Sequence, residues 1–449
     1  MKPSQWLRGV AGAATLLLVG VLGARIEAQQ GSASLSTPTF TKDVAPILQR
    51  SCMNCHRLGS IGPMALTSYE EARPWARSVR QKVMAREMPP WYIDRRVGIN
   101  KFKDDPSLSD REIDTIVRWV DGGAPRGNPA DMPPTPDFAD LGLWHIGKPD
   151  MVVTLPKDLM VAASNPDQWR DVLVDPGITE DRWLMAVETK PSKGWRVVHH
   201  AVTTLVPPDG ASTVTSAADL RSSLLNEYAL GKNADVFPEG AARLIKAGSK
   251  INFNLHLHSI GEELPANVEV GLKFYPKGFQ PKYVADIVPV AGSELDIPPN
   301  TDNVRVDSYF RLKTPVRVLS FQPHMHNRGK AMCVEAILPG DGVPSIEHGD
   351  PIVPLSCVDK YQFAWHIAYH YAEDAQPILP AGTVLHITAW HNNTASNRFN
   401  PDPDQHVTFG QRTVDDMSFA WMKFLYLTED DYKEQVAARK KQQTQTQNQ

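Results

Sequence analysis

Cysteine is scarce in this chain: 449 residues hold four, in two separated pairs, Cys52 with Cys55 and Cys333 with Cys357. That excludes a small scaffold framed by disulfides. Charge of one sign is lacking as well. A net charge of −4 and a pI near 6.4 argue against a nucleic-acid partner, which requires a clustered basic face. No apolar run reaches the roughly twenty residues that span a bilayer; residues 9–24 come nearest. No short-period repeat is present, which excludes a solenoid. Apolar residues, by contrast, are plentiful: 42% hydrophobic against 22% charged excludes a disordered body. The length exceeds one compact core and implies two to four domains.

The N-terminus reads as a secretory signal over residues 1–28. Lys2 and Arg8 flank the start of the apolar run, and Ile26-Glu27-Ala28 offers a cleavage site. An uncleaved anchor is the alternative. The expected mature chain is periplasmic or secreted, with no stable membrane span after signal cleavage. In such an oxidising compartment Cys333 and Cys357 could form a disulfide; two buried free thiols are the other reading. Residues 429–449 end in a Gln-rich stretch without an apolar face and read as a disordered tail.

Residues 38–125 carry helical spacing. Thr41 can cap a helix over 43–48, residues 69–84 place apolar side chains at helical intervals, and Ser109-Asp110-Arg111-Glu112 signals a helix start before 113–120. Gly and Pro crowd 122–136, which sets a linker over 126–143. Beyond it, segments 151–155, 197–206, 250–258, 268–274, 316–321 and 384–390 alternate or are rich in β-branched residues. The expected fold is multidomain: a small all-α domain, then two all-β antiparallel, jelly-roll-like sandwich domains over 144–287 and 288–428.

Cys52-Met53-Asn54-Cys55-His56 has the attachment spacing of c-type haem. The small all-α domain is therefore read as a cytochrome c domain, with Cys52 and Cys55 bonded to the porphyrin and His56 as proximal ligand. A redox CxxC pair or half a zinc site is the competing reading, and a zinc site lacks a second ligand cluster nearby. For the sixth position Met88, presented by Arg86-Glu87-Met88-Pro89-Pro90-Trp91, is preferred to Met64 and Met84. A His/Met pair suits a high-potential electron carrier.

Histidine supplies the second constellation. His324 and His326 stand one residue apart, so on a strand both point to one face and form a two-nitrogen chelate. His199 and His200 are adjacent, and joint ligation requires a bulge or strand end. His256 and His258 share a face, which allows one ligand and one neighbour. His145, His348, His366, His370, His386, His391 and His406 are unclustered and read as surface or satisfied core residues. Met417 alone reads as a core methionine; added to an imidazole pair, its thioether makes a site suited to Cu(I) and poor for Zn or Mg.

Taken in order, these elements resemble the copper type II, ascorbate-dependent monooxygenases, the peptidylglycine and dopamine β-hydroxylating enzymes. Their bacterial relatives with an N-terminal cytochrome c domain are more similar still. The resemblance rests on the His pair, a strand His, the HxH pair before Arg328-Gly329, and a Met after an acidic residue. Residues 144–150 and Phe399-Asn400-Pro401-Asp402-Pro403 belong to it, and it covers most of 40–425. It implies two copper ions on two sandwiches facing across a solvent gap. His199, His200 and His256 would hold the electron-transfer copper, and His324, His326 and Met417 the copper that meets O2. His256 is chosen over His258 because Phe253-Asn254-Leu255-His256 fits the family strand, with Asn in place of Gln. His258 is then a candidate pH-sensitive neighbour of the ligand.

Where the peptide-amidating branch clamps its substrate, this chain has Gln322, Phe419 and Trp421. The implied substrate is a small apolar or aromatic molecule, not a C-terminal glycine peptide. The implied enzyme is a copper-dependent monooxygenase that hydroxylates a C–H bond with O2. It uses two copper ions and one covalent haem c, the haem acting as internal donor fed by an external reductant. The alternatives are a non-catalytic haem/copper electron-transfer or copper-binding protein, and a haem-only protein whose β module has lost copper.

Overall fold

The segments whose alternation marks strands fold as strands, each within a few residues of its expected bounds: Met151–Thr154, Val198–Val206, Lys250–Leu257, Leu264–Phe274, Val316–Met325 and Val384–His391. The computed structural model describes residues 36–447 apart from 59–61, 137–143, 166–167, 209, 211–223, 230–233, 292–293, 341–350 and 411. The signal segment 1–28, His348 and residues 137–143 of the linker lie outside the described residues.

Two four-stranded sheets each cover half of a long shared sheet. The first contains Gln168–Val174, Lys250–Leu257, Val198–Val206 and Leu224–Ala229 in that order; the second contains Val304–Arg311, Val384–His391, Gly329–Ile337 and Ile352–Val358. Between each and the shared sheet lies an apolar core. One is built on Leu184, Phe253, Leu255 and Val270, the other on Phe321, Val334, Ile387 and Phe424. The shared sheet is continuous because Tyr283–Ala291 pairs in parallel with Ala241–Ile245 and antiparallel with Ser418–Tyr426. The expected boundary at 287/288 therefore falls inside a strand, Tyr283–Ala291, in which Ile287, Val288, Pro289 and Val290 are buried without a break.

The expectation of a separate all-α cytochrome domain is corrected. The chain is mostly sheet, 38% strand against 16% helix, and its N-terminal helices are short: Ala45–Ser51, Tyr69–Ala72, Ala76–Met84 and Asp110–Asp121. Ser109 does cap its helix, in a reciprocal box with Glu112. The helices share a small core around Phe40, Leu48, Ile116 and Trp119. The connection between the third and fourth leaves that core altogether. Trp91, Tyr92, Ile99 and Phe102 pack instead on the second sandwich, where Ile93 bridges Val358 and Phe102 bridges Tyr371. These aromatics find more apolar surface on the sheet than four short helices provide. Residues from Pro38 onward form one compact unit.

Two other expectations are settled at this level. Cys333 and Cys357 are bonded, facing each other across adjacent strands. The tail expected to be disordered is a helix, Glu429–Gln447, which rests Tyr432 and Val436 on the first core. Among the described residues no helix is long and apolar enough to cross a membrane.

The two halves are joined by a buried ion pair. Lys423 of the shared sheet reaches Asp235, and both side chains are almost wholly excluded from water. Removing one partner of such a pair strands the other charge in a low dielectric. Lys423→Met is expected to destabilise the fold by about 3–5 kcal/mol, read as a lower urea midpoint with an unchanged slope.

Candidate metal centre

The ladder between Val198–Val206 and Lys250–Leu257 slips between Val198 and His200. His199 is thus the extra residue of a bulge, the feature that joint ligation by adjacent histidines requires. With the bulge in place, the Nδ1 atoms of His199 and His200 lie 3.2 Å apart. Their rings stand 4.8 and 4.9 Å from that of His256. Trp169, directly across from His256, stacks on its ring at 4.2 Å. The ligand nitrogens of the three histidines all lie within 4.8 Å of one another. Metal–nitrogen bonds of about 2 Å put ligands at most about 4 Å apart, so a contraction of under about 1 Å would close this group on an ion. His258, past the end of the strand, is exposed, and the group forms around His256.

His324 and His326 meet as the period-two argument requires, with rings 5.6 Å apart and both buried. The Nδ1 of His326 lies 3.1 Å from the Asp415 carbonyl. A carbonyl only accepts, so Nδ1 carries the proton and Nε2 keeps its lone pair. Burial, followed by the neighbouring imidazoles, holds His200 and His324 well below the ordinary histidine range. Both rings are neutral and able to ligate at neutral pH.

Asp416 organises the corner around this pair. Its Oδ1 accepts from the backbone N–H of His326 and of Met417, each at 2.8 Å, and its Oδ2 accepts from that of Arg328 at 3.2 Å. One carboxylate thus holds the backbones of His326 and Met417 side by side. Met325 pairs with Ser418 at the end of the ladder, so His326 and Met417 each stand one residue beyond it. Met417 packs against the small apolar cluster of Leu224, Ile287, Phe419 and Trp421, and Phe419 stacks on His324 at 4.5 Å. Arg328 is fully buried and ties the corner to the 399–403 loop, donating to Asn393 Oδ1 and to the carbonyls of Val414 and Asp402. Gly329 follows because any Cβ there would strike the Tyr361 ring, whose hydroxyl pins the Met325 backbone.

The two groups do not face each other across a solvent gap, as the resemblance implies. Phe363 and His366 fill the space. The His366 ring is 4.9 Å from His324 and 5.9 Å from His200, while Phe363 touches both His199 and His326. Glu227 enters from the first sandwich, completing with His324 and His366 a second group whose ligand atoms lie within 4.8 Å of one another. His366 and Glu227 escape sequence reasoning. His366 sits on a loop with no neighbouring ligand to give it a spacing, and Glu227 looks like one strand polar residue among others. The other unclustered histidines behave as expected where partners are visible: His145 meets Glu188, and His386 meets Asp307 and Glu335.

At the N-terminus, the His56 Nδ1 lies 3.1 Å from the Met64 carbonyl, which again leaves Nε2 free to ligate. Cys52 and Cys55 are not bonded to each other. Burial, with Cys55 adding to it against Arg50, pushes the Cys52 thiol up to about 12. That opposes the redox CxxC reading, which needs a stabilised thiolate. Among the described residues neither cysteine joins a three-ligand cluster, as a zinc site would require. Of the three methionines considered for the sixth position, Met84 is 52% exposed on its helix. The Met64 carbonyl is held at the His56 ring. Met88 is half-buried at the cis bond to Pro89. Tyr228, on the strand that carries Glu227, is raised to about 12 by burial and then by Cys55.

No family model matches the chain, and no curated protein does. Among solved structures it is similar to the major capsid protein P2 of bacteriophage PM2. That match has 8% identity, covers 62% of this chain and 98% of that one, and has a TM-score of 0.27. It is also similar to the structure of infectious bursal disease virus Gx strain, at 7% identity, 64% and 74% coverage, and a TM-score of 0.21. Likenesses this weak say nothing of the chemistry here.

Proposed function

We propose that this chain is an exported copper-dependent monooxygenase that hydroxylates a C–H bond of a small apolar or aromatic substrate. The observation that carries the reading is the bulge at His199, which gathers His199, His200 and His256 beside a second buried imidazole pair. Buried imidazoles without hydrogen-bond partners, such as the Nδ1 of His324, are costly unless a bound group satisfies them. Imidazoles with a thioether nearby suit copper. His199, His200 and His256 would hold one ion, and His324 and His326 the other, with Met417 at its edge. Phe419, Trp421, Leu224 and Ile287 give the second group an apolar wall.

When bound, copper supplies one-electron steps for O2 reduction and haem c a resident electron store. The reaction takes R–H, O2, two electrons and two protons to R–OH and water. Cys52, Cys55 and His56 would hold the haem, with Met88 as sixth ligand. One haem stores one electron, so the haem would cycle twice per turnover, refilled by an external donor, or deliver to coppers already partly reduced.

Copper-loaded, reduced protein is expected to add one oxygen atom to a substrate in an aerobic screen read by mass spectrometry. Met417→Ala should abolish that product and leave the haem spectrum intact; unchanged activity would remove Met417 from the site. One observation favours a second reading, a non-catalytic copper-holding electron carrier: His324 is only 6% exposed. That reading predicts bound copper without O2 uptake coupled to an oxidised product.

A further inference from the structure

The ligand candidates named so far leave a buried polar group unexplained. Glu227 is 3% exposed and His366 is 1% exposed. Among the described residues neither nitrogen of His366 has a hydrogen-bond partner, nor does Oε1 of Glu227 or Nδ1 of His324. His366 Nδ1 and Glu227 Oε1 come within 3.4 Å without hydrogen-bond geometry. Four unsatisfied polar atoms on three neighbouring buried side chains are costly. The arrangement is held from outside: Gln322 Nε2 donates to the other carboxylate oxygen of Glu227 at 2.9 Å, leaving Oε1 turned toward the imidazoles.

We infer that Glu227 and His366 are ligands of the ion at His324, so that this ion is gripped by both sandwiches at once. The inference rests on the proposed reading that this interface holds metal. Glu227 comes from the first sandwich, on Leu224–Ala229, while His324 and His366 belong to the second. Two imidazoles and a carboxylate make a borderline-to-hard donor set, which suits Cu(II) better than Cu(I). Met417 would supply the soft donor at the His324–His326 pair. His324 thus stands between a set that favours the oxidised ion and one that favours the reduced ion. Binding there also ties the sandwiches together, so it stabilises the folded chain by mass action.

The test uses the full chain, stripped with a chelator and titrated with Cu(II) alone. The parent is expected to retain two ions per chain. Glu227→Gln and His366→Ala should each weaken one of the two by about tenfold or more, change its electron paramagnetic resonance spectrum, and shrink the copper-induced rise in Tm. Glu227→Gln keeps size and shape, so it carries the test even if His366→Ala fails to fold. Parent affinity and an unchanged spectrum in Glu227→Gln would overturn the inference while leaving the copper reading intact. A parent that binds no copper would overturn the copper reading itself.

Discussion

The Asp416→Asn protein is expected to unfold about 3–5 kcal/mol more easily than the parent and to lose copper from the His324 group while keeping the His199 group loaded. The reason lies in what Asp416 satisfies. It is wholly buried, accepts from three backbone N–H groups, and lies 3.7 Å from the equally buried His391. An amide in its place turns two donors toward one or more of those N–H groups, and each buried donor left unmet costs about 1–3 kcal/mol. Arg328 loses its neighbouring negative charge at the same time.

The pH dependence of that difference follows from the sign of the shift. Burial alone would raise the Asp416 carboxyl. His391, His326 and the backbone donors overcome it and hold the group below the usual carboxylate range. A depressed folded pKa contributes stability above the unfolded value, about 3.9, and loses it as pH falls through the lower folded value. The urea midpoints of parent and Asp416→Asn should therefore converge in acid. A constant gap down to pH 2 would deny the carboxylate this role. Copper counting separates the site effect from the stability effect: if the variant holds both ions as tightly as the parent, Asp416 supports the fold and not the metal corner.

The same corner shows how far the sequence could be read. The HxH pair was legible because period two is a property of any strand, and Val316–Met325 is one. The His199–His200 pair was legible only conditionally, since a bulge is set by the partner strand and not by the two residues. Met417 was accessible through resemblance alone; what brings it to His326 is a carboxylate shared through backbone donors, which no spacing of side chains encodes. Glu227 and His366 were out of reach for the same reason, being contributed by different sandwiches to one interface. At the N-terminus the helix starts at Ser109 and near Tyr69 were readable from caps and periodicity. The failure to close a separate helical domain was not, because it turns on where Trp91 and Phe102 find apolar surface. The terminal helix was missed because only Tyr432 and Val436 mark its packed side.

Replacing both Cys52 and Cys55 by Ser is expected to remove all covalently bound haem, the largest spectroscopic change any substitution in this chain should produce. Thioether attachment consumes both sulfurs, and a protein with neither can hold haem only through iron ligands, which acid and organic solvent break. The measurement is haem retained after denaturation, against the parent made under the same conditions. His56 Nδ1 stays bonded to the Met64 carbonyl in both proteins, so iron ligation by Nε2 is not itself disturbed. Copper content should stay at two per chain, because the cysteine segment contributes no ligand to either histidine group. Product formation should fall when electrons are offered only through a haem-reducing donor, and survive when a small reductant reaches the copper directly. If the parent carries no covalent haem when made in a host able to attach it, the internal donor is wrong and the histidine interface must draw its electrons entirely from outside.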